Sequence, residues 1–308
     1  MDIILKISQE LMCRQEQVAA AVKLIDEGCT IPFIARYRKE ATGSLNDEQL
    51  RTLDERLTYL RGLEDRKEKV IASIEEQGML TDELKKSILA AETLVAVEDL
   101  YRPYKPKRKT RATIAQSKGL TGLANIISLQ MTNKPILEEA LAYVSEEKEV
   151  HSAEEAIAGA MDIIAESISD NAEYRTEIRS LTMDKGILMT TAKDPEAESV
   201  YEMYYDFSTP VRKMTGYRTL AINRGEKEKF LSVKIEAPID EITGYLIRQV
   251  IVRDNPNTND ILRNTITDSY ERLIAPSIER DIRSSLTEAA EDGSRRPSGL
   301  RKTRFSSN

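Results

Sequence analysis

Chemistry in this chain can start from one stretch, Glu98-Asp-Leu-Tyr-Arg-Pro-Tyr-Lys-Pro-Lys-Arg-Lys-Thr-Arg-Ala-Thr-Ile-Ala-Gln-Ser-Lys118. Seven basic residues lie between Arg102 and Lys118, no acid interrupts them, and the next acid is Glu138. In a chain of net charge −7 this block is a local exception, and polyphosphate is the partner it suits best. Arg102, Lys105, Lys107, Arg108, Lys109 and Arg111 would contact phosphate, giving salt-dependent and sequence-tolerant binding. Tyr101 and Tyr104 could stack on bases. A smaller basic cluster, Arg36, Arg38 and Lys39 with Tyr37 inside it, could also grip phosphate. Each cluster has a plainer reading. The long block could be a solvated loop with helix-flanking lysines, and the arginines could pair with acids of the helix that follows them.

Enzymatic chemistry finds no foothold. His151 is the only histidine, so no Ser–His or Cys–His nucleophile pair can be built around it. Cys13 and Cys29, with one distant histidine, do not make a zinc site. Gly225-Glu-Lys-Glu-Lys229 lacks the preceding glycine and the Lys-Ser/Thr of a phosphate-binding loop, and no Gly-x-Gly-x-x-Gly occurs. The expectation is a non-enzyme with no catalytic residue, no metal and no cofactor. Two cysteines fit a reducing cytosol. The lack of an 18-residue apolar run or a signal-like N-terminus points to a cytoplasmic chain without membrane contact.

The elements that must position these residues read as helices. Hydrophobic residues make up 40% of the chain and charged residues 31%, with no Trp and only four Phe. Residues 1–27 show one helical period, with Ile3, Ile4, Ile7 and Leu11 followed by Val18, Ala21, Val22 and Ile25, and Gly28 as the stop. Ser44 to Asp47 resembles a capping box before a long helix carrying Leu50, Leu53, Leu57, Leu60, Leu63, Val70, Ile71 and Ile74. Glu64 and Lys67 interrupt the heptad, so this helix packs on a domain rather than forming a coiled coil. A further helix runs from Thr81 to about Leu100. Pro103 and Pro106 then break the pattern and predict an extended, exposed basic segment. Short helices over Thr113–Gly119 and Thr121–Met131 suggest a helix-turn-helix-like module around residues 80–135.

Charge then reverses. Glu138 to Glu177 holds twelve acids against two bases, a face that stays in water or docks on the chain's own basic loop. Residues 174–208 read as continued helix with a stop at Gly186 and a break at Asp194-Pro195. The tyrosines of Val200–Phe207 suit a packing face better than base stacking. Leu220–Ile222 and Leu231–Ile235 read as a short β-hairpin around Asn223–Glu226, the one β element expected. Helices resume from Ile239, with a break or kink at Pro276. Residues 293–308 carry five bases and no acid, and read as a disordered tail. The fold class is therefore mainly α and multi-helical. Its divisions are a helical domain over 1–200, a helical region with a short β element over 201–292, and the basic tail over 293–308.

Five separated motifs carry a family resemblance. Ile31-Pro-Phe-Ile-Ala-Arg-Tyr-Arg-Lys-Glu-Ala-Thr-Gly43, Leu57-Thr-Tyr-Leu60, Asp99 to Ala112, Ala221-Ile-Asn-Arg-Gly-Glu-Lys-Glu228 and Asp268-Ser-Tyr-Glu-Arg-Leu-Ile-Ala-Pro-Ser277 occur in that order. Together they resemble the N-terminal region of the bacterial transcription accessory protein Tex family, over roughly residues 1–292. The resemblance implies a largely helical portion with a helix-turn-helix-like module. In full-length relatives it implies a following RNase-H-like domain, helix-hairpin-helix units and an OB-fold RNA-binding domain. Where relatives continue past the Leu286-Thr-Glu-Ala-Ala-Glu291 helix, this sequence turns into the basic tail, which reads as a truncated end. The expected function is a non-enzymatic, nucleic-acid-binding transcription accessory fragment that contacts RNA or DNA without sequence preference. The alternative is a scaffold or docking module for the transcription machinery.

Overall fold

Asp2 begins the folded chain by accepting a hydrogen bond from the Leu5 amide, which caps α1 (Ile3–Leu11). A computed structural model describes residues 2–106 and 109–294, without the side chains of 292–294. Lys107, Arg108 and the expected disordered segment from residue 295 onward lie outside the described residues. The chain divides into two compact units, residues 1–105 and 106–308.

In the first unit the single helix expected over 1–27 is two helices, α1 and α2 (Gln15–Asp26). Met12 takes a left-handed conformation (φ 51°) that ends α1, and an apolar period cannot report such a turn. α3 (Ile31–Tyr37) has Pro32 in its first turn, where a missing N–H costs nothing. α4 (Asp47–Glu76) is 30 residues long, and its capping box is Asn46 with Gln49, two residues later than Ser44–Asp47 suggests. Leu50, Leu53, Leu57, Leu60, Leu63, Val70 and Ile74 run down one buried stripe of α4. They meet Ile7, Val18, Ala21, Ile34, Ile88 and Val97 in the unit's core. Each Leu, Ile or Val side chain among them contributes about 1.5–3 kcal/mol by leaving water. Lys67, in the same stripe, is buried with its ammonium donating to Glu64 and to the Leu89 carbonyl. α5 (Asp82–Ala90) and α6 (Leu94–Tyr101) complete the unit, each capped by a threonine, Thr81 and Thr93.

The second unit is built on α10 (Ala153–Asp170), against which pack α7 (Arg111–Ser117), α8 (Thr121–Leu129) and α9 (Ile136–Leu141). Gly159 permits this: a Cβ there would lie 2.3 Å from Leu120 Cδ1 and 3.3 Å from Ala115 Cβ. α5 and α6 belong to the first unit and α7 and α8 to the second, so the 80–135 stretch spans the boundary. α11 (Ala172–Lys185) ends at Gly186, the expected stop, but the chain beyond it to 208 is strand and turn rather than continued helix. β1 (Ile187–Ala192) and β2 (Asp206–Pro210) follow, then α12 (Gly216–Lys227) and β3 (Leu231–Glu236). The expected hairpin is corrected. Leu220–Ile222 lies inside α12, and β3 pairs antiparallel with β1 in a sheet of order β2-β1-β3. Leu188, Thr190, Leu231 and Ile235 turn into the core, and Thr191, Ser232, Lys234 and Glu236 turn outward. α13 (Ile239–Val250) and α14 (Asn259–Asp268) lead into a π-helical turn, Ser269–Ile274, and then α15 (Ala275–Ser294). Helical residues run unbroken from α14 through this turn into α15, and Pro276 lies just after the π-helical turn, so the regular α-helix is interrupted just before it, where a break or kink is expected.

Candidate nucleic-acid interface

The basic stretch enters from α6. Tyr101 is its last helical residue and is only 8% exposed. Its hydroxyl shares a hydrogen bond with Ser73 Oγ at 3.0 Å, and the Arg66 guanidinium lies 5.4 Å from its ring centroid. Tyr101 is thus a packing residue of the first unit, which corrects its reading as a base-stacking ring. Arg102–Tyr104 form a 3-10 turn rather than extended chain, because Pro103 suits the first turn of such a helix. Arg102 and Tyr104 are half-buried, and Tyr104 packs against the unit's core. Lys105 is exposed, with Glu98 as a distant partner at 3.9 Å. Past the two undescribed residues, Lys109 is exposed and Thr110 caps α7 by accepting from the Thr113 amide.

Arg111 and Lys118 stand apart from the other bases. They line a cleft of about 220 Å³ together with Glu155, Gly159 and Asp162 of α10. The Lys118 ammonium donates to the Glu149 carbonyl at 2.6 Å and to Glu155 at 3.1 Å. The positive charge of Arg111 draws on both Asp162 and Asp268. Two of the basic residues between Arg102 and Lys118 therefore face the chain's own acids, one of the two fates expected of the acidic run.

Arg36, Arg38 and Lys39 lie at the end of α3, all exposed. None of the three forms an ion pair among the described residues, which corrects the expectation of pairing with the following helix. The first acid of that helix, Asp47, is taken one turn along by Arg51 at 2.6 Å. The arginines instead lie over rings: the Arg36 guanidinium is 6.0 Å from the Tyr37 centroid and that of Arg38 is 5.7 Å from Phe33. The two rings are 5.3 Å apart and inclined at 45°. Phe33 was not among the expected site residues. Its four-residue spacing from Tyr37 on a helix is the signal that could have found it. The two basic sites of this unit are not brought together. α3 leads into the N-terminal end of α4, whereas Glu98 and Tyr101 bond Arg66 and Ser73 in its C-terminal half.

Two quoted motifs turn out to hold the scaffold. In Ala221–Glu228, Asn223 donates to Thr287 Oγ1 at 2.8 Å, Glu226 forms a two-pronged pair with Arg283, and Glu228 accepts from the Tyr201 hydroxyl at 2.9 Å. Gly225 sits where a Cβ would come within 2.7 Å of Leu231. Tyr201 is buried beside it and Tyr204 is buried against Phe207, so the tyrosine-rich stretch is a packing face. In Asp268–Ser277, Ser269 Oγ donates to the Ala165 carbonyl at 2.6 Å. Ser277 there accepts from the nearly inaccessible Arg175 at 2.7 Å.

Residues 1–75 match the family described as the Tex-like protein N-terminal domain, and residues 131–295 match the one described as Tex central region-like. The chain belongs to the Tex family. An uncharacterized Bacillus subtilis protein, YdcI, is 48% identical over 290 residues, covering 93% of this chain and 40% of that protein. The transcriptional accessory protein Tex of Neisseria gonorrhoeae is 40% identical over 301 residues, covering 94% of this chain and 39% of its own length. The human S1 RNA-binding domain-containing protein 1 is 30% identical over 291 residues, covering 89% of this chain and 29% of that protein. The chain thus spans about two fifths or less of these relatives. The α3 cluster falls inside the first Tex match, and the basic loop falls between the two. Among the described residues no helix is long and apolar enough to cross a membrane.

Proposed function

We propose that this chain is the nucleic-acid-binding N-terminal portion of a transcription accessory protein, acting without catalysis through phosphate contacts. The observation that carries the reading is the basic loop. Lys105 and Lys109 are exposed on either side of it, and the one ion pair of Lys105 is long. Contacts from Arg102, Lys105, Lys107, Arg108 and Lys109 to RNA or DNA would be sequence-independent, because phosphates carry no sequence information, while Arg111 already faces Asp162 and Asp268. The names of two relatives support the theme, one as a transcriptional accessory protein and one as an S1 RNA-binding protein. Fluorescence anisotropy with single-stranded RNA and duplex DNA at two salt concentrations tests it. Replacing Lys107, Arg108 and Lys109 together by Ala is expected to weaken binding and to lower the salt slope by about 2–3. Unchanged affinity and slope in that variant would refute the loop assignment.

A second reading, a docking module for the transcription machinery, is favoured by one observation: Lys118 and Arg111 already face α10 acids. A wild-type chain that binds neither nucleic acid at low salt would favour it.

A further inference from the structure

We propose that α3 carries a separate platform on which the bases of a single-stranded nucleic acid stack, with Phe33 and Tyr37 as the stacking rings. The inference rests on the nucleic-acid reading above and adds to it a site, a strand type and a mode of contact. Phe33 is 39% exposed and Tyr37 63%, large values for neighbouring aromatic rings on a helix that packs on a core. Ile34, between them in sequence, is fully buried and anchors α3, so the two rings are held outward on a fixed backbone. Arg36 and Arg38 lie 6.0 and 5.7 Å from these ring centroids, near the limit of a cation–π contact, and their N–H groups remain available for a phosphate. Lys39 adds a third cation, against one neighbouring exposed acid, Glu40. None of the three cations is spent on an ion pair among the described residues.

The arrangement distinguishes strand types. Aromatic rings flanked by free cations are the recurring means of holding single strands, because every base has a π-face and the backbone runs beside it. A duplex keeps its base faces stacked on one another, so it would meet only the three cations. The exposed aromatic–arginine pair would also suit a protein partner. The excess of unpaired positive charge favours the polyanion.

The test uses the full chain with a 12-nucleotide single-stranded RNA carrying 2-aminopurine, and a 12-base-pair duplex as comparison. Phe33→Ala with Tyr37→Ala is expected to weaken single-strand binding about tenfold or more, to abolish quenching of 2-aminopurine, and to leave duplex binding within about twofold. Phe33→Tyr and Tyr37→Phe should retain binding and quenching, and circular dichroism should show wild-type helix in every variant. Wild-type binding that the double-Ala variant leaves unchanged overturns the platform alone. An equal loss for single strand and duplex also overturns it. A wild-type chain that binds neither probe at low salt overturns the underlying nucleic-acid reading as well.

Discussion

Arg272 holds two carboxylates that respond to pH in opposite senses. Its guanidinium bonds Asp268 at 2.6 Å and Asp162 at 3.1 Å. Hydrogen bonds from Arg272 keep Asp268 below the usual carboxylate range. Its stabilising effect is therefore complete above the unfolded aspartate value of about 4 and is lost as pH falls through the lower folded value. Burial pushes Asp162 up, against the attraction of Arg272. Ionised Asp162 opposes folding above its folded value, and that cost disappears as it takes up a proton. Asp268→Asn should thus lower stability at pH 7 and do so much less at pH 3, whereas Asp162→Asn should cost little at pH 7. Urea titrations at both pH values measure the difference. At this scale the sequence was only partly legible. The exposed cations Arg36, Arg38, Lys39, Lys105 and Lys109 could be read from composition. The burial of Tyr101 could not, because it depends on Ser73 and Arg66, which reach it from α4.

Helices show where spacing alone suffices and where it fails. The α4 stripe was readable because seven apolar residues repeat over nearly seven turns. β1 and α12 were not. Six residues of β1 and the three apolar residues Leu220–Ile222 are too short for a period of 2 to be told from one of 3.6. What decides them is the sheet: β1 finds partners on both sides, one of them about 40 residues away in sequence. Glycines separate local from tertiary effects in the same way. Gly62, inside α4, has open space around its missing Cβ, so Gly62→Ala should stabilise by about 0.5–1 kcal/mol through helix propensity. Gly159→Ala gains the same propensity but drives its methyl into Leu120, which is 1% exposed and has nowhere to swing. Overpacking of about 1–3 kcal/mol then wins, and a net loss of stability is expected. Thermal melts of the two variants should move in opposite directions.

For the molecule as a whole, the sequence conveyed the helical class and the Tex relationship, because both rest on long-range composition and on motifs in order. The division at Lys105 was less legible, since it falls inside a basic run that reads as one feature along the chain. The core of the first unit draws on residues from Ile3 to Tyr104 and that of the second on residues from Ala115 to Leu286, so each can be weighed alone. In the first unit α4 acts as a measuring rod. Its N-terminal end follows the α3 segment, and its C-terminal half meets the end of α6, which leads into the Arg102–Lys105 turn, through Arg66 and Ser73. A single strand long enough to touch both sites would make its second contact intramolecularly. Affinity plotted against oligonucleotide length should then rise slowly for short strands and step upward at the length that first spans both sites. A helix whose evident work is to fill a core would then also set the shortest transcript segment the unit can hold at both ends.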